Sequence, residues 1–289
     1  MSEQDRYIPG VPCWIDTTQP DPDAAVAFYG DLFGWELEDV MPPGSPGKYF
    51  VARIRGGDVA AIGSPPPGAP ANAVWNTYVW VADADETAAK VRAAGGSVLM
   101  EPDDVMDAGR MAVFADPAGA AFCVWQAKQH RGAAVVNEPG SLNFNDLHTR
   151  DLDGARAFYG AVFGWEILDV GGGSAWALPG YGDFLEQRNP GMRENMAKMG
   201  APERFEDVVA SVRPISDDRP AHWGVTFGVD DADAIASRAA ELGGKVVMAP
   251  VDGPWVRMTV IQDPQGATFT ASKFVPENKD VPEVAAAGV

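Results

Sequence analysis

The sequence predicts an α+β protein of two tandem modules, each of them a pair of βαβββ units. The phrase FYGDLFGWE at 28–36 returns as FYGAVFGWE at 158–166, which is 130 residues later. The phrases DPAGAAF at 116–122 and DPQGATF at 263–269 form a second pair. Within each copy, apolar residues change from the alternation of strands to the period of a helix and back. A duplicated module explains all three observations.

The elements of the first copy follow from its local patterns. Residues 12–18 alternate as a half-buried strand. Asp21 and Pro22 start a helix that Gly34 ends, and a second helix over 85–94 ends at Gly95-Gly96. The remaining apolar runs are predicted as strands at 48–54, 59–63, 79–81, 97–100, 110–115 and 121–126. The DPAG phrase is a turn between the last two strands, with proline and glycine fixing its backbone.

The second copy repeats this order with an insertion. The offset between matching residues grows from 130 to 148 across the middle of the copy, so about 18 extra residues lie within 180–220. A helix over 191–199 and another over 201–210 are predicted there. The module boundaries are placed at 8–128 and 141–276, with a linker at 129–140 and a tail at 277–289.

Composition narrows the classes of partner. The net charge of −19 disfavours nucleic acid and anionic membranes, because both would be repelled. No run of about 18 apolar residues is present, and the polar start MSEQDRYIPG lacks a signal-peptide core. Two cysteines, Cys13 and Cys123, do not form a disulfide framework. We therefore expect a cytoplasmic protein with a small-molecule ligand. Further pairing into a homodimer is left open.

The FYGxxFGWE pattern, the GG turn and the closing DPxGxxF phrase resemble the vicinal oxygen chelate superfamily over nearly the whole chain, twice. That superfamily includes glyoxalase I, extradiol dioxygenases, fosfomycin resistance enzymes and bleomycin-binding proteins. The tandem arrangement resembles its two-module actinobacterial members. The resemblance implies curved mixed sheets that form ligand cups, with the sites inside them.

The resemblance also implies where a divalent metal would be held. Carried over by position, the ligand residues fall on Trp14, Asn76 and Cys123 in the first module, and on Phe144, Gly224 and Thr270 in the second. None is the expected histidine or carboxylate, so we expect no metal at this site and no cofactor. A Cys13–Cys123 thiolate pair, or a displaced site of Asp146, His148 and His222, stays open as an alternative.

Two features recur where the metal ligands are missing. Each copy has an aromatic residue at the first ligand position, Trp14 or Phe144, and an aspartate two residues later, Asp16 or Asp146. Alternation places each aspartate on the same strand face as its aromatic neighbour. Such a carboxylate suits acid–base chemistry or a hydrogen-bonding ligand, and it suits equally a purely structural role.

Further candidates would form the walls and the mouth of the cups. Flat apolar walls are expected from four tryptophans: Trp80, Trp125, Trp223 and Trp255. Arg110 and Arg257 occupy equivalent positions, and each would bind a ligand anion or pair with an aspartate. The insertion adds Tyr181, Asp183 and Glu186 beside the second site.

Two hypotheses about function follow. The first is metal-independent binding or sequestration of a small hydrophobic or aromatic molecule in a glyoxalase-like cup. The second is a lyase, isomerase or hydroxylase-like enzyme that uses Asp146, His148 and Tyr181, or a displaced metal. The missing ligand set argues against the usual metal chemistry and leaves acid–base chemistry open.

Overall fold

The computed structural model describes residues 6–66, 68, 71–170, 173–215 and 219–282. Residues 1–5 of the polar N-terminal segment and residues 283–289 of the predicted tail therefore lie outside the described residues. In the first module the elements are β1 (Pro12–Thr18), α1 (Pro22–Phe33), β2 (Glu36–Asp39), β3 (Tyr49–Ile54), β4 (Gly57–Gly63), β5 (Val74–Trp80), α2 (Ala84–Ala93), β6 (Ser97–Val105), β7 (Gly109–Ala115) and β8 (Ala121–Ala127).

The second module repeats this order and adds helices. Its elements are β9 (Leu142–Thr149), α3 (Leu152–Phe163), β10 (Glu166–Asp169), β11 (Ser174–Ala177), α4 (Tyr181–Arg188), α5 (Met192–Met199), β12 (Val208–Pro214), β13 (His222–Gly228), α6 (Ala232–Glu241), β14 (Lys245–Gly253), β15 (Val256–Gln262) and β16 (Thr268–Phe274). Two short 3-10 turns lie at Phe205–Asp207 and Pro276–Asn278.

The insertion differs from its prediction in two ways. The helix predicted over 191–199 is confirmed as α5, but a further helix, α4, precedes it. The helix predicted over 201–210 is wrong, because only a 3-10 turn forms before β12 begins at Val208. Arg204 takes a left-handed φ of 62°, which interrupts any helix there. The β-branched residues Val208, Val209 and Val212 then favour a strand, which pairs with β11 and β9.

The strands form two mixed eight-stranded sheets, one for each module. Their orders are β2-β3-β4-β1-β5-β8-β7-β6 and β10-β11-β12-β9-β13-β16-β15-β14. Pairing is parallel between β1 and β4 and between β5 and β8, and antiparallel between consecutive strands such as β7 and β8. The predicted α+β class and the two tandem modules are confirmed.

Matching caps set the limits of α1 and α3. The Asp21 carboxylate accepts the N–H of Ala24, and Pro22 occupies the first turn, where a missing N–H costs nothing. Asp151 accepts the N–H of Gly154 in the same way. Gly34 ends α1 in a left-handed conformation with φ 70°, which glycine adopts without strain. The predicted start and end of α1 are confirmed.

The chain forms two compact units that do not follow the repeats. The first unit contains the described residues of 1–13, 78–132 and 145–223, and the second those of 14–77, 133–144 and 224–289. Each unit therefore joins one half of the first module to one half of the second. Each also has its own apolar core, in which helices from both modules pack on strands from both. The predicted module boundaries, drawn on the repeat, stay a prediction.

In each unit, a tyrosine of one repeat bonds to an aspartate of the other repeat. In the second unit the hydroxyl of Tyr29, from the FYG phrase of the first copy, donates to Asp263 of the second copy's DPQG turn at 2.9 Å. In the first unit Tyr159 donates to Asp116 of the DPAG turn at 3.1 Å. The two recurring phrases are thus partners, and each copy completes the other.

A tryptophan and the turn itself complete both arrangements. Trp75 Nε1 donates to Tyr29 Oη at 3.1 Å, and Trp223 Nε1 donates to Tyr159 Oη at 2.9 Å. The other oxygen of Asp116 accepts the N–H groups of Ala118 and Ala120. Burial nevertheless raises the pKa of Asp116, which shows that desolvation outweighs the hydrogen bonds to its carboxylate. Every partner in this buried network is therefore needed.

The tryptophans of the two FGWE phrases hold the segments that enter the modules. Trp35 Nε1 donates to the carbonyl of Gly140 in the linker, and Trp165 Nε1 donates to that of Gly10 before β1, both at 2.8 Å. Both indoles are buried in the apolar cores. The core role predicted for the repeated phrase is confirmed.

Among the described residues, none of the helices has the length and apolar character that crossing a bilayer requires.

The substitution Tyr159→Phe should lower the free energy of unfolding by about 1–3 kcal/mol, because it removes a partner from both Asp116 and Trp223. Tyr29→Phe should cause a similar loss through Asp263 and Trp75. Urea unfolding followed by circular dichroism measures both. Tyr181→Phe is the control, since its ring lies outside this network, and should change stability by less than about 0.5 kcal/mol. Equal stability of Tyr159→Phe and the wild type would contradict the role given to this hydroxyl.

Candidate functional site

The face of β9 opposite the apolar core carries two of the three residues predicted to be catalytic. Leu147 points into the core, so its neighbours Asp146 and His148 lie on the other face. Both are almost fully buried, with 4% and 3% of their surface exposed. A buried carboxylate beside a buried imidazole is uncommon without a reason, because burial of either group requires polar partners.

Strand β12 supplies those partners to Asp146. Ser211 is paired with Asp146 in the sheet register, and Arg213 with His148. The Ser211 hydroxyl donates to Asp146 Oδ1, and Arg213 Nε reaches the same oxygen at 3.3 Å. The carboxylate is thus held in a fixed position by two side chains of the neighbouring strand.

His148 stacks on His222 from the start of β13. The ring centroids are 4.6 Å apart and the planes are parallel within 1°. His222 Nδ1 lies 3.0 Å from the carbonyl of Pro220 and donates to it when protonated. His148 Nδ1 is buried and has no hydrogen-bond partner. We refer to Asp146, His148, Ser211, Arg213 and His222 as the second-module cluster; all five lie in the first compact unit.

The electrostatics of this cluster keep His148 neutral at physiological pH. Burial lowers its pKa to about 4, and it outweighs the opposing effect of the Asp146 carboxylate. The nearby charges of His222, Arg213 and Arg219 act in the same direction as burial. A neutral, unpartnered imidazole nitrogen beside a fixed carboxylate is able to accept a proton or a hydrogen bond from a ligand.

The equivalent cluster in the first module has different chemistry. Asp16 accepts the Tyr49 hydroxyl at 3.0 Å and the Asn76 amide at 2.8 Å, and Trp14 Nε1 donates to Tyr49 Oη at 3.2 Å. Asn76 also donates to Thr18 at 3.2 Å. We refer to these five residues as the first-module cluster; all lie in the second compact unit. It contains no imidazole, so only the second-module cluster has both a carboxylate and a histidine.

The residues at the ligand positions of the resembled family do not fit its metal. The indole of Trp14 and the ring of Phe144 have no atom that can coordinate a metal ion, and Gly224 has no side chain. Asn76 uses its amide N–H groups to bind Asp16 and Thr18. Within the described parts of the chain, no group of three or more His, Cys, Asp or Glu side chains is arranged to hold a metal ion.

The local chemistry also argues against a metal ion bound by the thiolates of Cys13 and Cys123. Cys13 and Cys123 are both buried, and neither forms a disulfide. Burial raises the pKa of the Cys13 thiol far above its usual range, and the thiol points at the carbonyl of Tyr78 at 3.5 Å. Cys13 therefore stays protonated, whereas a metal requires the thiolate.

The two predicted arginines pair with aspartates. Arg110 contacts Asp85 at 2.9 Å, and Arg257 contacts Asp233 at 2.6 Å, in both cases at the first turn of a helix. Of the two roles foreseen for these arginines, pairing with an aspartate is the one that the structure shows.

The predicted tryptophans lie in four separate surroundings. Trp223 is buried against Tyr159, Trp125 Nε1 donates to the carbonyl of His130, and Trp255 stacks on Phe274 with its ring centroid 6.2 Å away. Trp80 packs against Tyr7, with the ring centroids 5.9 Å apart. Phe144 is half-buried on β9. These aromatic residues do not form a single wall.

The insertion candidates stabilise the insertion itself. Tyr181 stacks on Phe184, and burial raises its pKa to about 12. Asp183 pairs with Arg193 at 2.8 Å. Glu186 accepts the N–H of Gly191 at 2.6 Å and so caps the start of α5. The Tyr181 hydroxyl interacts electrostatically with that of Tyr7.

Ser211 and Arg213 were missed by the sequence analysis. The signal was present, since Val209, Ser211 and Arg213 alternate with the buried residues Ala210 and Val212. The prediction of a helix over 201–210 concealed this alternation.

Comparisons with known proteins agree on the family. The model of the Glyoxalase/Bleomycin resistance protein/Dioxygenase superfamily matches residues 14–124 and 141–270. "Putative glyoxylase CFP32" of Mycobacterium bovis is 40% identical over 282 residues, covering 96% of this chain and 100% of that protein. "Anthracycline biosynthesis protein DnrV" of Streptomyces peucetius is 38% identical over 278 residues, covering 92% and 94%.

A solved structure supports the fold. The Mn(II)-bound glyoxalase from Novosphingobium aromaticivorans superposes with a TM-score of 0.58 at 17% identity, covering 92% of this chain and 82% of that one. The family resemblance seen in the motifs is confirmed.

The depressed pKa of His148 makes stability depend on pH. The unfolded chain binds a proton near pH 6.5, whereas folded His148 binds one only near pH 4, so stability falls as pH drops through this window. Between pH 7 and pH 4.5, the free energy of unfolding should therefore fall by up to about 2–3 kcal/mol less in His148→Gln than in the wild type. Urea unfolding at the two pH values measures it. Identical pH profiles for the variant and the wild type would contradict a neutral, buried His148.

Proposed function

Because the chain belongs to the Glyoxalase/Bleomycin resistance protein/Dioxygenase superfamily, we propose that its second module binds a small aromatic molecule through Asp146 and His148 and without the usual metal. One observation carries this proposal. The second-module cluster fixes a buried carboxylate beside a neutral imidazole whose Nδ1 has no partner. A ligand with a hydroxyl or N–H group would supply that missing hydrogen bond.

The chemistry of the cluster favours a polar, planar ligand. Asp146 is held by Ser211 and Arg213, so it presents a carboxylate of fixed orientation. The parallel rings of His148 and His222 add a flat surface on which another ring system can stack. The name of the Streptomyces relative supports the aromatic class, since anthracyclines are planar polycyclic compounds with hydroxyl and carbonyl groups.

The proposed ligand class is tested by titration with an anthracycline, whose own fluorescence reports binding. Asp146→Asn should weaken binding about tenfold or more, because the amide disrupts the contacts with Ser211 and Arg213. Asp16→Asn is the matched control, since it makes the same change at the equivalent position of the first module. Equal losses in both variants, or none in Asp146→Asn, would contradict a site in the second module.

A second candidate function is acid–base catalysis by the same cluster. It is favoured by the geometry, because Asp146 and His148 share one face of β9 and the carboxylate would stabilise the imidazolium formed when His148 takes a proton from a substrate. The mycobacterial relative's name, a glyoxylase, also suggests an enzyme.

Mass spectrometry of ligands incubated with the protein distinguishes the two candidates. Turnover by the wild type, together with binding but no turnover by His148→Gln, would establish catalysis. No turnover by either form would leave binding as the function. The expected cytoplasmic location, and the absence of nucleic-acid and membrane partners, remain predictions.

A further inference from the structure

A cavity of about 920 Å³ lies in the first compact unit, apart from the second-module cluster. Its walls come from three parts of the chain: the segment before β1, the ends of β5 and β8 with the residues that follow, and helix α4 of the insertion. The lining residues are Tyr7, Ile8, Pro9, Trp80, Val81, Ala82, Gln126, Ala127, Arg131, Phe184, Gln187 and Arg188. This volume is within the range of small-molecule sites, roughly 300–1,000 Å³.

Aromatic side chains are among the residues that line this cavity. Trp80 and Tyr7 pack with their ring centroids 5.9 Å apart and their planes tilted by 31°. Trp80 is 6% exposed and Tyr7 5%, so the rings are held rigidly. Phe184 lies on α4 and carries the guanidinium of Arg188 at 5.3 Å from its ring centroid. Aromatic side chains in the lining favour a ligand with a flat apolar ring.

The charge of the lining is opposite to that of the protein. Arg131 and Arg188 contribute two positive charges, and none of the lining residues is an aspartate or a glutamate. The chain as a whole carries −19. The two arginines therefore favour a ligand with an anionic group. The net negative charge of the whole protein disfavours a ligand with several negative charges. Gln126 and Gln187 add neutral hydrogen-bonding groups.

The repeat gives an internal comparison for this cavity. The carbonyl of Trp80 accepts the N–H of Gly10, and in the other unit the carbonyl of Gly228 accepts the N–H of Gly140. Trp80 and Gly228 are therefore equivalent positions, and the aromatic wall is absent from the second one. Helix α4 belongs to the insertion and has no counterpart in the first module.

We propose that this cavity, formed by Trp80, Tyr7, Phe184, Arg131 and Arg188, is a binding site for a small aromatic monoanion such as an aryl carboxylate. The ring of the ligand contacts the aromatic side chains, and its carboxylate binds the guanidinium groups, whose planar fork matches a carboxylate. The site uses none of the residues of the second-module cluster, so it stands independently of the proposed function.

Calorimetric titration of the full chain with 1-naphthoate and with its neutral isostere 1-naphthamide tests the proposal. The wild type should prefer naphthoate. The double variant Arg131→Gln/Arg188→Gln should lose naphthoate affinity about tenfold or more and change naphthamide affinity less than about twofold. Arg92→Gln/Arg156→Gln is the control, because it makes the same change in net charge at exposed arginines outside the cavity. It should leave both affinities within about twofold.

Two more variants locate the ligand. Phe184→Ala should weaken the binding of both compounds, because it removes an aromatic side chain from the lining without changing a residue of the sheet. Asp146→Asn should leave naphthoate binding unchanged. The proposal is overturned if naphthoate does not bind at about 1 mM, if both compounds bind equally, if both double variants lose affinity equally, or if Asp146→Asn abolishes naphthoate binding.

Discussion

The hydrogen bond from a tyrosine of one repeat to a turn aspartate of the other is the interaction on which the rest of the structure depends. Tyr29 with Asp263, and Tyr159 with Asp116, are buried pairs in the centres of the two units. A buried carboxylate without partners is strongly unfavourable, so neither repeat alone satisfies its own turn. This explains why the same phrase is written twice: one copy supplies the donor and the other the acceptor.

These hydrogen bonds constrain the side of each sheet that faces the helices. The residues on the opposite face of the sheet can therefore differ between the two modules. On that face Asp16 and Asp146 occupy equivalent positions, but their partners are unrelated. Asp16 is bound by Tyr49 and Asn76, whereas Asp146 is bound by Ser211 and Arg213. The fold thus keeps two equivalent carboxylates and gives them different neighbours. The residue equivalent to His148 in the first module is Thr18, so the imidazole at this position belongs to the second module.

The insertion adds a second asymmetry. Its helices are held by their own ion pairs and caps, such as Arg193 with Asp183 and Glu186 with Gly191, so the insertion is a self-supporting element. It contributes Phe184, Gln187 and Arg188 to a cavity whose other lining residues lie before β1, in the first module and in the linker. Aromatic side chains and two arginines therefore line one cavity of a protein whose net charge is strongly negative.

The sequence by itself determined the duplication, the helix limits and the equivalent aspartates, because capping, turn chemistry and alternation are local properties. Asp21, Pro22 and Gly34 are sufficient to place α1, and the spacing from Trp14 to Asp16 places both on one strand face. Only the tertiary structure decided whether the tyrosine of a repeat bonds to the turn aspartate of its own repeat or to that of the other repeat. Tyr29 and Tyr159 belong to nearly identical phrases, so pairing within a repeat and between repeats is equivalent in sequence. The partners of Asp146 and the walls around Trp80 come from residues up to about a hundred positions away, and only packing brings them together.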